Sequence, residues 1–276
     1  MRVAIFAAAV LGVAAPAAAQ EARPAGPPDS VYDDTWISLG VGAGYGPSYD
    51  GSDDYALFPA PIIQGRIAGI GIQPRPAGLA LDFVPSSAVA LGPVARVRAN
   101  RARQIKDPVV AAAGKLDTAV EVGVAAGIGV EKLLNPYDSL TLSADTLWDV
   151  AGAHRGMTVT PSVTYFTPLS RGMAASLSLS AEHADGDFMR YYYSVTPAQS
   201  AASGLAQFTA DSGWTKAGAT MLVAIDFDGE LTNGGLSAVL VGGHSQMLGD
   251  ARRTPYTAIR GSAGQWFGAF GIGYTF

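Results

Sequence analysis

Little in this chain is equipped for covalent or metal chemistry. It has three histidines, His154, His183 and His244, and no cysteine, so thiolate nucleophiles, disulfides and cysteine metal sites are excluded. No histidine has a second histidine three or four residues away, the spacing that sets two imidazoles on one helical face for zinc. Asp50, Asp53 and Asp54 could hold a divalent cation between lipopolysaccharide phosphates, but they lack EF-hand order and read more simply as a solvated loop. His183 with Asp185 or Asp187 could serve a serine hydrolase of the barrel-lipase kind. No serine is marked as its nucleophile, however, and an imidazole at a strand end is equally at home at a membrane interface. The expectation is no catalytic, metal or cofactor site and no enzyme activity; an outer-membrane lipid hydrolase ranks third among the functional readings.

The informative polar residues are charges on one face of predicted strands. Arg96, Arg98, Glu121, Glu182 and Asp226 share the inner face, with Glu131 and Asp145 beside them. Charges of both signs inside a narrow tube either pair across it and close it or line an aqueous path. Pairing is expected, and a narrow, porin-like small-solute diffusion channel is the rival. Three consecutive tyrosines, Tyr191, Tyr192 and Tyr193, are candidates for outer-loop contact with a ligand or partner. They also fit the aromatic girdle of an elongated strand, the reading preferred here, with the run Pro197 to Gly204 folding inward as a plug.

The elements that must carry these residues show a two-residue period. From Thr118 to Glu131, Val120, Val122, Val124, Ala126, Ile128 and Val130 alternate with Glu121, Gly123, Ala125, Gly127 and Gly129. Met157 to Phe166 and Ala174 to Glu182 alternate in the same way, and their polar face is small Ser and Thr, as suits the inside of a closed tube. Twelve strands are predicted: Trp36 to Gly46, Phe58 to Arg66, Ala68 to Gln73, Gly78 to Val84, Val89 to Arg98, Thr118 to Glu131, Ser139 to Trp148, Met157 to Phe166, Met173 to His183, Ala217 to Asp226, Leu236 to Ser245 and Gln265 to Phe276. Short turns at Pro85 to Ser87, Leu133 to Asp138, Pro168 to Arg171 and Phe227 to Gly234 interleave with long connections at Pro47 to Tyr55, Ala99 to Lys115, Asp149 to Arg155, Asp185 to Trp214 and Leu248 to Gly264. Pro59, Pro61, Pro74 and Pro76 mark bulges or edges in the second to fourth strands.

Composition agrees with an antiparallel transmembrane β-barrel in a single domain. Only 15% of the 276 residues are charged, against about 25% in an ordinary soluble domain. Met1 and Arg2, an apolar run and Ala17-Ala18-Ala19 read as a cleavable signal peptide over residues 1–19, and 20–34 as a disordered periplasmic lead-in before a barrel at 35–276. The address is therefore the cell outer membrane, in contact with lipid and lipopolysaccharide. A net charge of −5 without a basic stripe excludes nucleic acid as a partner. The last strand puts Trp266, Phe270, Ile272, Tyr274 and Phe276 on one face, which resembles the C-terminal signal read by the barrel-assembly machinery.

Three segments bear a family resemblance: Gly44 to Tyr55 followed by Phe58-Pro-Ala-Pro61, Tyr191 to Gly204, and Leu248-Gly-Asp250 with Arg260-Gly-Ser262. Through them the chain from Trp36 to Phe276 resembles the MipA/OmpV outer-membrane proteins. It departs at Tyr193-Ser-Val-Thr, where the family more often has Phe-Gly-Val-Ser, and at Pro255-Tyr-Thr-Ala, where a short charged run is commoner. The resemblance implies a scaffold or interaction protein of the envelope, linked to periplasmic murein-remodelling enzymes. A barrel supports many roles, so function has to be argued from a site.

Overall fold

The computed structural model describes residues 30–33, 35–84, 88–102 and 104–276. The proposed signal peptide, most of the lead-in and the expected turn from Pro85 to Ser87 lie outside the described residues. Of the lead-in, Val31–Asp33 forms a 3-10 turn, and Tyr32 packs edge-on against Trp36 with ring centroids 4.8 Å apart.

The strands are β1 (Trp36–Pro47), β2 (Tyr55–Pro59), β3 (Ile62–Ile67), β4 (Ile70–Arg75), β5 (Gly78–Asp82), β6 (Val89–Arg98), β7 (Ala119–Glu131), β8 (Ser139–Asp149), β9 (Met157–Ser170), β10 (Met173–Ala184), β11 (Gly213–Asp226), β12 (Gly235–Met247) and β13 (Gly264–Thr275). Each pairs antiparallel with its neighbours, and β13 returns to β1, with Ser38 opposite Thr275 and Tyr45 opposite Gly268. The sheet is a closed barrel. β2 pairs with Ala43 to Pro47 and β3 with Trp36 to Gly40 of the same strand, so the two are halves of one stave and the wall has twelve staves. The predicted strand from Phe58 to Arg66 is thus corrected to two segments. Pro59 and Pro61 supply no N–H to a ladder, and the strand breaks between them.

Alternation sorts the side chains as it must in a barrel. Leu39, Val41, Val120, Val122, Val124, Leu177, Leu179, Phe270 and Ile272 are exposed on the outer face although large and apolar, which is stable only against lipid. Trp148, Trp214 and Trp266 ring the long-loop end, where His183 stacks edge-on with Trp214 and His244 lies 4.6 Å from Trp266. Both histidines are therefore interfacial. Inside, β1 carries Gly40, Gly42, Gly44 and Gly46. The need for glycine is concrete at Gly44, where an added Cβ would lie 2.2 Å from the Phe58 ring.

Among the described residues, five short helices lie in the long connections: α1 (Pro108–Ala112), α2 (Gly186–Tyr193), α3 (Pro197–Ser203), α4 (Gly249–Arg253) and α5 (Pro255–Ala258). No described helix is long and apolar enough to cross a membrane. Phe188, Met189, Tyr192 and Tyr193 of α2 pack with Met247 and Ala251, while Tyr49, Val110, Val195 and Tyr256 form a second cluster. The long loops are thus one packed cap over the barrel mouth, with an apolar core of their own.

Candidate functional site

Beneath that cap, residues from five strands and two loops converge. Glu121 stands opposite Arg96 in the β6–β7 register and accepts a hydrogen bond from its Nε. Glu121 also accepts from Arg98 Nε at 2.7 Å and faces His154 Nε2 at 3.0 Å, with no solvent exposure of its side chain. Glu182, on β10, accepts from Arg98 Nη2 at 2.6 Å, Arg96 Nη2 at 3.2 Å and the Thr215 hydroxyl at 3.0 Å. Arg96 donates onward to Thr158, and Asp50, from the first long loop, takes Lys216 Nζ at 3.0 Å. Arg98 Nη1 lies 3.8 Å from the same Asp50 carboxylate. Arg96, Arg98 and Lys216 thereby balance Asp50, Glu121 and Glu182, three cations against three carboxylates. Burial of Glu121 and Glu182 is tolerable because each keeps both arginines as charge-assisted partners.

The cap is fastened to this network. The Phe188 ring lies over the Arg98 guanidinium at 4.8 Å and meets the His154 ring edge-on at 5.0 Å. Asp185 caps α2 by accepting from Phe188 N at 3.0 Å and also takes Met157 N at 2.8 Å, which ties the helix start to β9. Arg101, 1% exposed, donates to the Tyr192 carbonyl at 3.2 Å and stacks on Tyr256 at 3.8 Å, joining three long loops. Asp107 caps α1 through Val109 N and Val110 N and binds Arg260 at 2.5 Å. Burial pushes the Asp107 carboxyl up, but the Arg260 hydrogen bond and the two helix N–H groups outweigh it and hold the pKa below its ordinary value.

Of the five lumen charges expected from the sequence, Arg96, Arg98, Glu121 and Glu182 meet. Asp226 does not. It sits at the far end of β11, where its carboxylate accepts from Asp228 N and Gly229 N at 2.9 Å and shapes the 227–234 turn. Asp145, on the inner face as expected, crosses the lumen to Arg75 at 2.6 Å. The three tyrosines correct the sequence reading. They form neither a strand girdle nor an exposed patch, because α2 carries them and buries Tyr192 and Tyr193, while the Tyr191 hydroxyl accepts from Asp117 N at 2.8 Å. Burial drives the Tyr192 and Tyr193 phenols above their ordinary pKa. The plug is α2, and the run expected to plug, Pro197 to Gly204, buries no residue. Sequence reasoning missed Asp50, His154 and Lys216. Lys216 was one residue short of a predicted strand, and its inward parity was the available signal.

A family model described as MltA-interacting protein MipA matches residues 39–276. No curated protein matches the chain by sequence. Among solved structures, the chain is similar to the outer membrane protein OprD from Pseudomonas aeruginosa, at 10% identity over 88% of this chain and 94% of that one, with a TM-score of 0.30. It is also similar to a Pseudomonas aeruginosa FadL homologue, at 11% identity over 89% and 91% of the two chains, with a TM-score of 0.31.

Proposed function

The chain belongs to the family of the MltA-interacting protein MipA, and from that membership we propose an outer-membrane barrel that acts as an interaction protein of the cell envelope, docking a murein-remodelling transglycosylase at its periplasmic end. The observation that carries a docking role over an open pore is the sealed mouth. Six paired charges span the lumen and a helix with its own apolar core lies across them. Bacterial barrels turn their short connections to the periplasm, which assigns the partner face to the turns at 132–138, 171–172 and 227–234. Leu134 is 77% exposed there, beside exposed Leu133, and apolar side chains on a turn are candidate docking anchors. A purified lytic transglycosylase of the MltA kind should be retained by the detergent-solubilised barrel and less well by Leu134→Asp. Equal retention by an unrelated barrel would sink the reading.

A narrow channel is the second reading, favoured by one observation. Ser143 and Ser162 at 2.7 Å, and Thr164 and Ser178 at 3.0 Å, put a hydroxyl stripe on the inner face. Planar-bilayer recording separates the two. The docking reading expects no steady current until residues 186–203 are deleted, whereas a large steady conductance in the parent would make the channel reading correct.

A further inference from the structure

The wall is not zipped all the way round. Among the described residues β3 meets β4 only over Gly65 to Ile67, and β2 has a ladder partner in β1 alone. Above the tip of the β4–β5 hairpin, Val97 N still reaches the Ala77 carbonyl at 3.0 Å, and near the rim Lys106 Nζ takes the Tyr55 carbonyl at 2.5 Å. Between the β3–β4 ladder and the Lys106–Tyr55 tether runs a seam, with residues 58–64 on one lip and 73–77 on the other.

Four exposed prolines line the seam, Pro59 and Pro61 on one lip and Pro74 and Pro76 on the other. A proline has no N–H, so the lips cannot close by ladder hydrogen bonds, and they bring correspondingly fewer orphan donors into hydrocarbon. The seam lies at membrane depth: Pro59 is level with Ala43 and Ile63 with Leu39, below the interfacial pair Tyr45 and Tyr55. Behind it the lumen is apolar on the β1 and β13 side, while Arg75 of the other lip turns inward to its Asp145 partner. Phe58 lies against Gly44 and Gly46, Ile62 against Gly271, and Phe267 against Gly243 and Gly46. Phe58 faces inward yet is 41% exposed, so the space it borders is open.

We propose that this seam admits an aliphatic acyl chain from the bilayer sideways into the apolar side of the lumen. At that depth the bilayer presents acyl chains to the seam, and the sealed mouth closes the route from the long-loop end. The idea goes beyond the docking role and does not depend on it.

The test uses the full barrel in nanodiscs containing phosphatidylethanolamine with a diazirine in its acyl chain, with labelled residues mapped by mass spectrometry after illumination. Labels are expected on inward Phe58, Ile62 and Phe267 as well as on outward Leu39 and Val41. Ile62→Glu should lose the inward labels and keep the outward ones. The paired change Pro61→Val with Pro74→Val, which restores N–H groups to both lips, should also reduce inward labelling; it decides the matter if Ile62→Glu loses heat-modifiable migration. Labels confined to outward residues would overturn the proposal. So would inward labels that also cover Ser176, Ser178 and Ser180 or that persist in both variants, since the lumen would then be filling from its ends.

Discussion

Arg98 on β6 donates to Glu182 on β10 at 2.6 Å, although β7, β8 and β9 lie between them in the wall. The bond is therefore a chord across the lumen, made only because the barrel is closed and narrow. Glu121 on β7 accepts from the same arginine, so one guanidinium holds two carboxylates that share no ladder.

Replacing Arg96 and Arg98 together with Ala should leave Glu121 and Glu182 buried without their main partners. Removing one side of a buried ion pair costs about 3–5 kcal/mol. The double variant should melt at lower temperature in the heat-modifiability assay and pass cations in a planar bilayer. Unchanged melting would mean that water already solvates the two carboxylates.

The Asp107–Arg260 contact should release in acid. The folded carboxyl titrates below its unfolded value of about 3.9. Its stabilisation is thus complete above that value and lost as pH falls through the lower folded one. Limited proteolysis of the 99–118 loop should rise below about pH 4, and Asp107→Asn should show that susceptibility already at neutral pH. A parent loop equally resistant at acid and neutral pH would contradict this.

Gly44→Ala should destabilise the barrel, since its Cβ would fall 2.2 Å from the Phe58 ring. Overpacking of this kind costs about 1–3 kcal/mol. Combined with Phe58→Ala, the penalty should shrink, so thermal midpoints of the two single variants and the double variant should be strongly non-additive. Additive losses would place the strain elsewhere.

A cysteine introduced at Ser203, in the long 185–212 connection, should react with an impermeant maleimide on intact cells. One at Leu134 should react only after the outer membrane is permeabilised. Reversed accessibility would invert the barrel.

The two-residue period made the barrel legible in the sequence because lipid and lumen impose opposite demands on successive side chains of a strand. The same parity put Arg96, Arg98, Glu121 and Glu182 on one face. Local pattern could equally have shown α2, since Asp185 stands three residues before the N–H it caps, but three tyrosines in a row resemble a strand end as much as a helix. The break at Pro59 and Pro61 was signalled as an irregularity, and its form was not, because whether a proline ends a stave or merely bends it depends on the strand opposite.

Sequence alone thus determined the barrel, its strand faces, the alternation of short and long connections and the family resemblance, all of which follow from chemistry repeated along neighbouring residues. Tertiary structure decided which charges meet. Asp226 shares the inner face with Glu182 yet lies at the other end of the tube, while His154 and Asp50 come from loops to join a cluster whose other members lie on strands. Those contacts depend on the closure of twelve staves and on where the loops fold back, and no spacing along the chain encodes a distance across the lumen.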